Sequence, residues 1–145
     1  MFYANIKNNK YLIRLERGEE VNTAIKDFCS KNSIKNAVFS GIGSIENPTL
    51  AHYKVNNRKY SEKILMGIFE LTNLTGNVGI CENELLVHSH ISISDDQMNS
   101  FGGHLVRSTV SATAEIFLTD LGTSFLKSYN KQIGLKLWDL RPEKN

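Results

Sequence analysis

Three of the four histidines of this chain lie close together in the sequence. His88 and His90 are separated by a single serine, and His104 follows two consecutive glycines. Alternate side chains of a β-strand point to the same face of the sheet, so the His-Ser-His spacing predicts two neighbouring imidazoles. Imidazole nitrogens bind zinc at about 2.0–2.1 Å. The spacing therefore raises the hypothesis of a metal site.

His104 could supply the third ligand. We expect Gly102 and Gly103 to form a tight hairpin that folds His104 over the other two imidazoles, since glycine tolerates tight turns. Three histidines are typical of a metal that keeps a position open for another ligand. The alternative is an ordinary sheet with two surface histidines and an unrelated loop histidine. The residues alone leave both interpretations open. We expect Asp95 to be a turn residue.

Composition indicates one globular domain over residues 1–145. The chain is 41% hydrophobic and 22% charged, which is typical of a protein with an ordinary core. It has no apolar run long enough to cross a bilayer, and its first residues lack the layout of a secretory signal. We therefore expect a cytoplasmic protein. The two cysteines, Cys29 and Cys81, are expected to be buried thiols rather than a disulfide or a zinc pair.

Hydrophobic periodicity predicts one helix and many strands. Residues 19–32 place apolar side chains on one helical face, and Glu19 and Glu20 stand at the helix start, where carboxylates are favourable. Strands are predicted at 11–15, 36–45, 49–55, 59–74, within 77–94 and at 108–118, and the segment 133–140 is expected to close the sheet. The pattern favours a single α+β domain with a mainly antiparallel sheet and one principal helix.

Several catalytic motifs are absent from the sequence. It contains no H-E-x-x-H, no deaminase pattern, no G-x-S-x-G and no phosphate-binding loop. The segment SGIGS at 40–44 lacks a third glycine in register, and we interpret it as a tight loop. The H-x-H of a cupin barrel would be followed by a glutamate, whereas this chain has Ile93, Ser94 and Asp95 at those places.

Several motifs occur in an order that resembles a known family. They are VFSGIGSIENPTL at 38–50, MGIFELTNLTGNV at 66–78, HSH at 88–90, GGHLV at 102–106 and TAEIFL at 113–118. From about Tyr11 to Leu118 the chain resembles the PPC domain (plants and prokaryotes conserved), which also occurs in the plant AT-hook nuclear proteins. The resemblance implies a homotrimer of α+β domains. It also implies a divalent metal, zinc, bound by the three histidines, as in stand-alone prokaryotic members.

The chain departs from the plant members at two places. Plant members carry G-R-F-E-I-L, used in protein contacts, and this chain has Ile68 in place of that arginine. It also lacks the R-G-R-P core with which an AT-hook binds DNA. Two further acids, Glu70 and Glu115, lie in apolar strands. We consider them candidates to orient a histidine ligand or to bind a ligand, against the alternative of a solvent-facing position.

Three functions follow from these features. The family resemblance implies a regulatory or DNA-associated protein that binds a metal. A zinc-dependent hydrolase or lyase is the first alternative, because zinc with an open position can activate water. A small-molecule sensor, with its ligand held between subunits near the metal, is the second.

Charge provides a test of direct DNA binding. The net charge is +2 and the basic residues are scattered, whereas affinity for duplex DNA depends on lysines and arginines that neutralise phosphates. We predict weak or no binding of the isolated protein to duplex DNA at physiological salt, measured by fluorescence anisotropy over a salt series. Nanomolar binding that weakens steeply with salt would contradict this.

Overall fold

The computed structural model describes residues 1–141, whose strands pair in a seven-stranded sheet and a separate two-stranded sheet. Pairing between these strands is antiparallel throughout. This confirms the predicted single α+β domain with a mainly antiparallel sheet. The elements are β1 (Phe2–Lys7), β2 (Lys10–Glu16), α1 (Val21–Lys31), β3 (Ala37–Lys54), β4 (Lys59–Ile64), β5 (Ile68–Cys81), β6 (Glu84–Ser94), β7 (Ser100–Asp120), β8 (Lys127–Asn130) and β9 (Leu135–Trp138).

The four longest strands form a closed circuit. β3 pairs with β5 on one side and with β7 on the other, and β6 pairs with both β5 and β7. The order β3–β5–β6–β7 therefore returns to β3. β6 pairs with β7 only over residues 90–94. Where the strands do pair on both sides, closure removes free edges, which invite pairing with other chains. Within residues 1–141, β1 and β4 are the outermost strands of the sheet.

Helix α1 packs its predicted apolar face against this sheet. Val21, Ile25 and Phe28 are fully buried, as the helical spacing requires. The Glu20 carboxylate accepts hydrogen bonds from the backbone N–H groups of Asn22 and Thr23 at 3.2 and 2.7 Å, which satisfies two donors at the helix start. The helix contacts β6 and β7. In residues 1–141 there is no helix long and apolar enough to span a membrane.

The two cysteines are free and buried, as predicted. Burial, with a smaller contribution from the charge of Asp120, raises the pKa of the Cys29 thiol to about 12. A thiol reacts as its thiolate, so this cysteine is chemically inert at neutral pH and serves as a small apolar core residue.

The prediction of a tight loop at SGIGS is wrong, because the segment lies inside β3. Its glycines allow β3 to pass very close to β7. A Cβ atom at Gly41 would lie 2.6 Å from the carbonyl oxygen of Glu115, and one at Gly43 would collide with the carbonyl oxygen of Thr113. The pairing of β3 with β5 also shifts register between the two glycines. They therefore permit close strand approach and a bulge rather than a turn.

The ends of the chain also differ from expectation. The segment 133–140 does not close the main sheet, because its strand β9 pairs with β8 in a separate hairpin. That hairpin packs on β5, where a Cβ atom at Gly79 would lie 2.7 Å from the Trp138 ring. At the other end, β1 adds a strand that the sequence did not predict. Ala4 and Ile6 alternate with Asn5 and Lys7, but this two-residue period is too short to predict a strand by itself. All six residues of β1 are exposed.

Candidate metal centre

Strand β6 carries His88 and His90 on the face that points away from α1. Ser89, between the two histidines, is 1% exposed, and Ile91, directly after His90, is 3% exposed. The Ser89 hydroxyl donates a hydrogen bond to Oδ1 of Asn22 in α1 at 2.7 Å. These contacts hold one face of β6 against the helix. Because side chains alternate along a strand, both imidazoles point to the opposite face, as predicted.

His104 reaches the same face through strand pairing rather than through a turn. The register of β6 and β7 sets it directly opposite His90, and such pairs have Cβ atoms about 4.5–5.5 Å apart. Gly102 and Gly103 lie within β7, so the prediction that they form a hairpin is wrong. A Cβ atom at Gly102 would lie 2.9 Å from the carbonyl oxygen of Ile91. The glycine thus permits close approach of β7 to β6.

The three imidazoles form one compact cluster. Ring centroids are 5.2 Å apart for His88 and His90, 5.2 Å for His88 and His104, and 5.4 Å for His90 and His104. One potential ligand nitrogen from each ring lies within 4.8 Å of the other two. Tetrahedral zinc holds ligand nitrogens about 3.4 Å apart, from the zinc–nitrogen bond length. The rings must therefore move closer together to hold one zinc ion.

One nitrogen of the cluster has no partner. Nδ1 of His104 is buried and makes no hydrogen bond with residues 1–141, and an unpaired buried polar group costs about 1–3 kcal/mol. A metal ion held by the cluster would provide a partner for an imidazole nitrogen that protein atoms leave unpaired. Imidazole also suits zinc and the other divalent transition metals. The residues present therefore fit a metal ion.

Burial keeps two of the histidines neutral. It lowers the pKa of His88 to about 4, assisted by the charges of His104, Lys127 and His90. Burial also lowers the pKa of His104, as does His90, whereas the Glu62 carboxylate opposes the change. Only the neutral imidazole binds a metal. His88 and His104 are therefore ready to act as ligands at neutral pH.

Strand β4 brings two residues to His104 that the sequence did not indicate. The Tyr60 ring lies 5.3 Å from the His104 ring, between centroids, and is tilted by 33°. Glu62 pairs with Ala51, which in turn pairs with His104. A carboxylate beside a histidine ligand increases the basicity of that ligand. No local signal in KYSEKI marks this proximity, because it depends on β3 pairing with both β4 and β7.

The C-terminal hairpin adds a third residue that the sequence did not indicate, on the His88 side of the cluster. Nζ of Lys127 donates a hydrogen bond to Oδ1 of Asn77 at 2.6 Å, and Asn77 is opposite His88 in the pairing of β5 with β6. Burial lowers the pKa of Lys127, although Cys81 opposes the change. The hydrogen bond to Asn77 places the Lys127 side chain beside the cluster on this side.

Other candidate residues lie outside the cluster. Glu70 is opposite Ser44 and Ser94, and Glu115 is opposite Arg14 and Ile42. Both glutamates are exposed, and the group of converging ligand atoms contains the three histidines alone. A contact between either glutamate and a bound ligand stays a prediction.

Asp95 has the turn role predicted for it, and the fourth histidine stands apart. The Asp95 carboxylate accepts hydrogen bonds from the backbone N–H groups of Gln97 and Asn99 at 3.0 and 2.8 Å. His52 is exposed on β3 and is not a member of the cluster.

Comparison with known proteins identifies the family. The model of the Plants and Prokaryotes Conserved (PCC) domain, the domain called PPC above, matches residues 4–122. The chain belongs to this family. This PPC chain is 37% identical to a PPC protein from Pyrococcus horikoshii, with a TM-score of 0.86 over 92% of this chain and 93% of that one. None of the curated proteins compared with the chain matches it.

Two other solved structures share this fold, one of a candidate DNA-binding protein and one of a metal-containing protein. A candidate DNA-binding protein from Bacteroides thetaiotaomicron has a TM-score of 0.91 at 27% identity, over 95% of this chain and 96% of that one. A metal-containing protein from Archaeoglobus fulgidus has a TM-score of 0.82 at 29% identity, over 89% of this chain and 91% of that one.

The electrostatics of the cluster can be tested in the metal-free protein. We expect His88 to titrate near pH 4 and His104 below its ordinary pKa of 6.5, measured from imidazole proton shifts by NMR. Glu62→Gln should lower the pKa of His104 further, because it removes the charge that favours the protonated ring. The same change should leave His88 unaffected. A higher pKa for His104 in Glu62→Gln would contradict the assignment.

Proposed function

We propose that this PPC-domain protein binds one divalent metal ion, zinc, through His88, His90 and His104. The observation that carries the proposal is the convergence of three imidazole nitrogens within 4.8 Å of one another. The unpaired Nδ1 of His104 supports it, as does the metal-containing relative from Archaeoglobus fulgidus. When bound, zinc supplies a positive charge and a Lewis acid at this face of the sheet.

We propose a regulatory or DNA-associated role in the cytoplasm for the metal-bound protein. The candidate DNA-binding relative from Bacteroides thetaiotaomicron supports an association with DNA. A net charge of +2 offers little direct attraction to phosphates. The role that fits both observations is one in which a partner protein or a bound ligand mediates the contact with DNA.

The alternative function is a zinc-dependent hydrolase or lyase. It is favoured by the donor set, because catalytic zinc sites use three protein ligands and structural sites use four. His90 is also exposed to solvent, so a substrate can approach. A small-molecule sensor would use the same three histidines. Unlike an enzyme, it would release its ligand chemically unchanged. Metal-dependent turnover that disappears in His90→Ala distinguishes the enzyme from the other two.

Metal content tests the site directly. After reconstitution with zinc and removal of excess metal, we expect about one ion per wild-type chain by elemental analysis. His90→Ala should reduce this to near zero, because two remaining imidazoles hold zinc poorly. His52→Ala is the matched control, since it removes an exposed histidine from β3 and should retain the metal. A wild-type protein that binds no metal would refute the site.

We further propose that the protein is a homotrimer. Large apolar side chains are exposed on neighbouring strands, including Leu12 and Phe117, which are paired and are 37% and 58% exposed. Val38 and Ile42 on β3 are 45% and 59% exposed. Contiguous exposed apolar residues are typical of an interaction surface. Self-association would cover this surface.

Molecular mass tests the assembly. Light scattering coupled to size exclusion should give three times the chain mass of 16.3 kDa at micromolar concentration. Phe117→Lys should shift the protein toward the monomer, because a charge buried in an apolar contact is costly. A wild-type monomer at this concentration would contradict the trimer.

A further inference from the structure

Lys127 is buried, which is uncommon for a lysine. It is 5% exposed. Its Nζ donates to Oδ1 of Asn77 at 2.6 Å and lies 4.5 Å from the centroid of the Trp138 ring. An amide oxygen and an aromatic face both favour the charged ammonium. No carboxylate within residues 1–141 forms an ion pair with it.

This ammonium lies next to the histidine cluster. Asn77, which accepts its hydrogen bond, is directly opposite His88 in the pairing of β5 with β6. A single side chain therefore separates Lys127 from a candidate metal ligand. The electrostatic effect of Lys127 on His88 agrees with this placement.

The charges around the cluster do not balance once a metal is bound. Three neutral imidazoles leave the full double charge of a divalent ion uncompensated, and Lys127 adds another positive charge. Glu62, on the His104 side, is a single opposing charge. A buried or half-buried cation is stable only when an opposite charge or strong hydrogen bonds compensate it. The missing compensation can come from a negatively charged ligand.

We propose that Lys127 makes the metal-bound histidine cluster a binding site for a small oxyanion such as a carboxylate. This inference rests on the proposed metal site and specifies the class of ligand that the site accepts. Lys127 acts through its charge, which attracts the anion and opposes the metal ion. The alternative role of Lys127 is to anchor the C-terminal hairpin through Asn77 and Trp138.

Cobalt substitution provides the test, because the visible spectrum of protein-bound Co²⁺ changes when a ligand binds nearby. The full-length wild type is loaded with Co²⁺ and titrated with acetate, and separately with acetamide, a neutral molecule of the same shape. We expect a saturable spectral change with acetate and none with acetamide at the same concentrations. The difference isolates the negative charge as the feature that the site recognises.

The variant Lys127→Met removes the charge and keeps a long apolar side chain beside Trp138. We expect acetate to bind about tenfold more weakly, from the loss of one nearby charge interaction. Co²⁺ should bind more tightly, because the repulsion from the ammonium disappears. These opposite changes separate an electrostatic role from general damage to the site, which would weaken both. A purely anchoring role would leave the acetate affinity unchanged in the folded variant.

Two more variants complete the experiment. Lys136→Met changes an exposed lysine of the same hairpin, 3.3 Å from Glu82, and should alter neither affinity. Asn77→Asp places a carboxylate against Lys127 without changing the size of the side chain. It should reproduce the weaker acetate binding and the tighter Co²⁺ binding, and it provides the test if Lys127→Met does not fold.

The outcomes distinguish the inference from the proposed function. If the wild type binds no Co²⁺, the metal site fails and the inference fails with it. If Co²⁺ binds but acetate causes no change, the inference alone is overturned. Equal acetate affinity in the wild type and in the folded Lys127 and Asn77 variants overturns it as well.

Discussion

The register of β6 against β7 is the constraint on which the candidate metal centre depends. It sets His104 opposite His90, and a slip by one residue would move a whole set of side chains to the other face of the sheet. Contacts on the buried face resist such a slip. Ile91 and Ile93 lie in the core, and Ser89 is bonded to Asn22 in the helix. Ordinary core packing thus aligns the histidines.

Close strand approach is a second feature shared by the fold and the site. Glycines occur in β3 and β7 where a side chain would collide with a neighbouring carbonyl oxygen, as at Gly43 and Gly102. Such approach lets long strands bend and pair on both sides, so that four of them close into a circuit. Because of that closure β4 comes to lie beside His104 through β3. The environment of the imidazoles is therefore a consequence of the closed sheet.

The candidate metal centre and the hydrophobic core occupy opposite faces of β6. The core is built from apolar side chains of α1 and the strands and contains none of the three histidines. This differs from a zinc finger, whose small core cannot form without its metal. Here the three histidines project from a sheet that buries its apolar face without them. The fold therefore does not depend on a metal at the candidate centre.

Local pattern in the sequence was enough to predict the helix, the buried cysteines, most of the strands and the shared face of His88 and His90. These features depend on periods of 3.6 and 2.0 residues, which a short segment contains in full. The order of motifs was enough to indicate the family. The sequence also indicated that His104 joins the other two histidines, but it attributed this to a turn at Gly102 and Gly103 rather than to strand pairing. It did not indicate Glu62 or Lys127, and it placed SGIGS in a loop. Only the tertiary structure decided these points, because strand order and register bring together residues that are far apart in the chain.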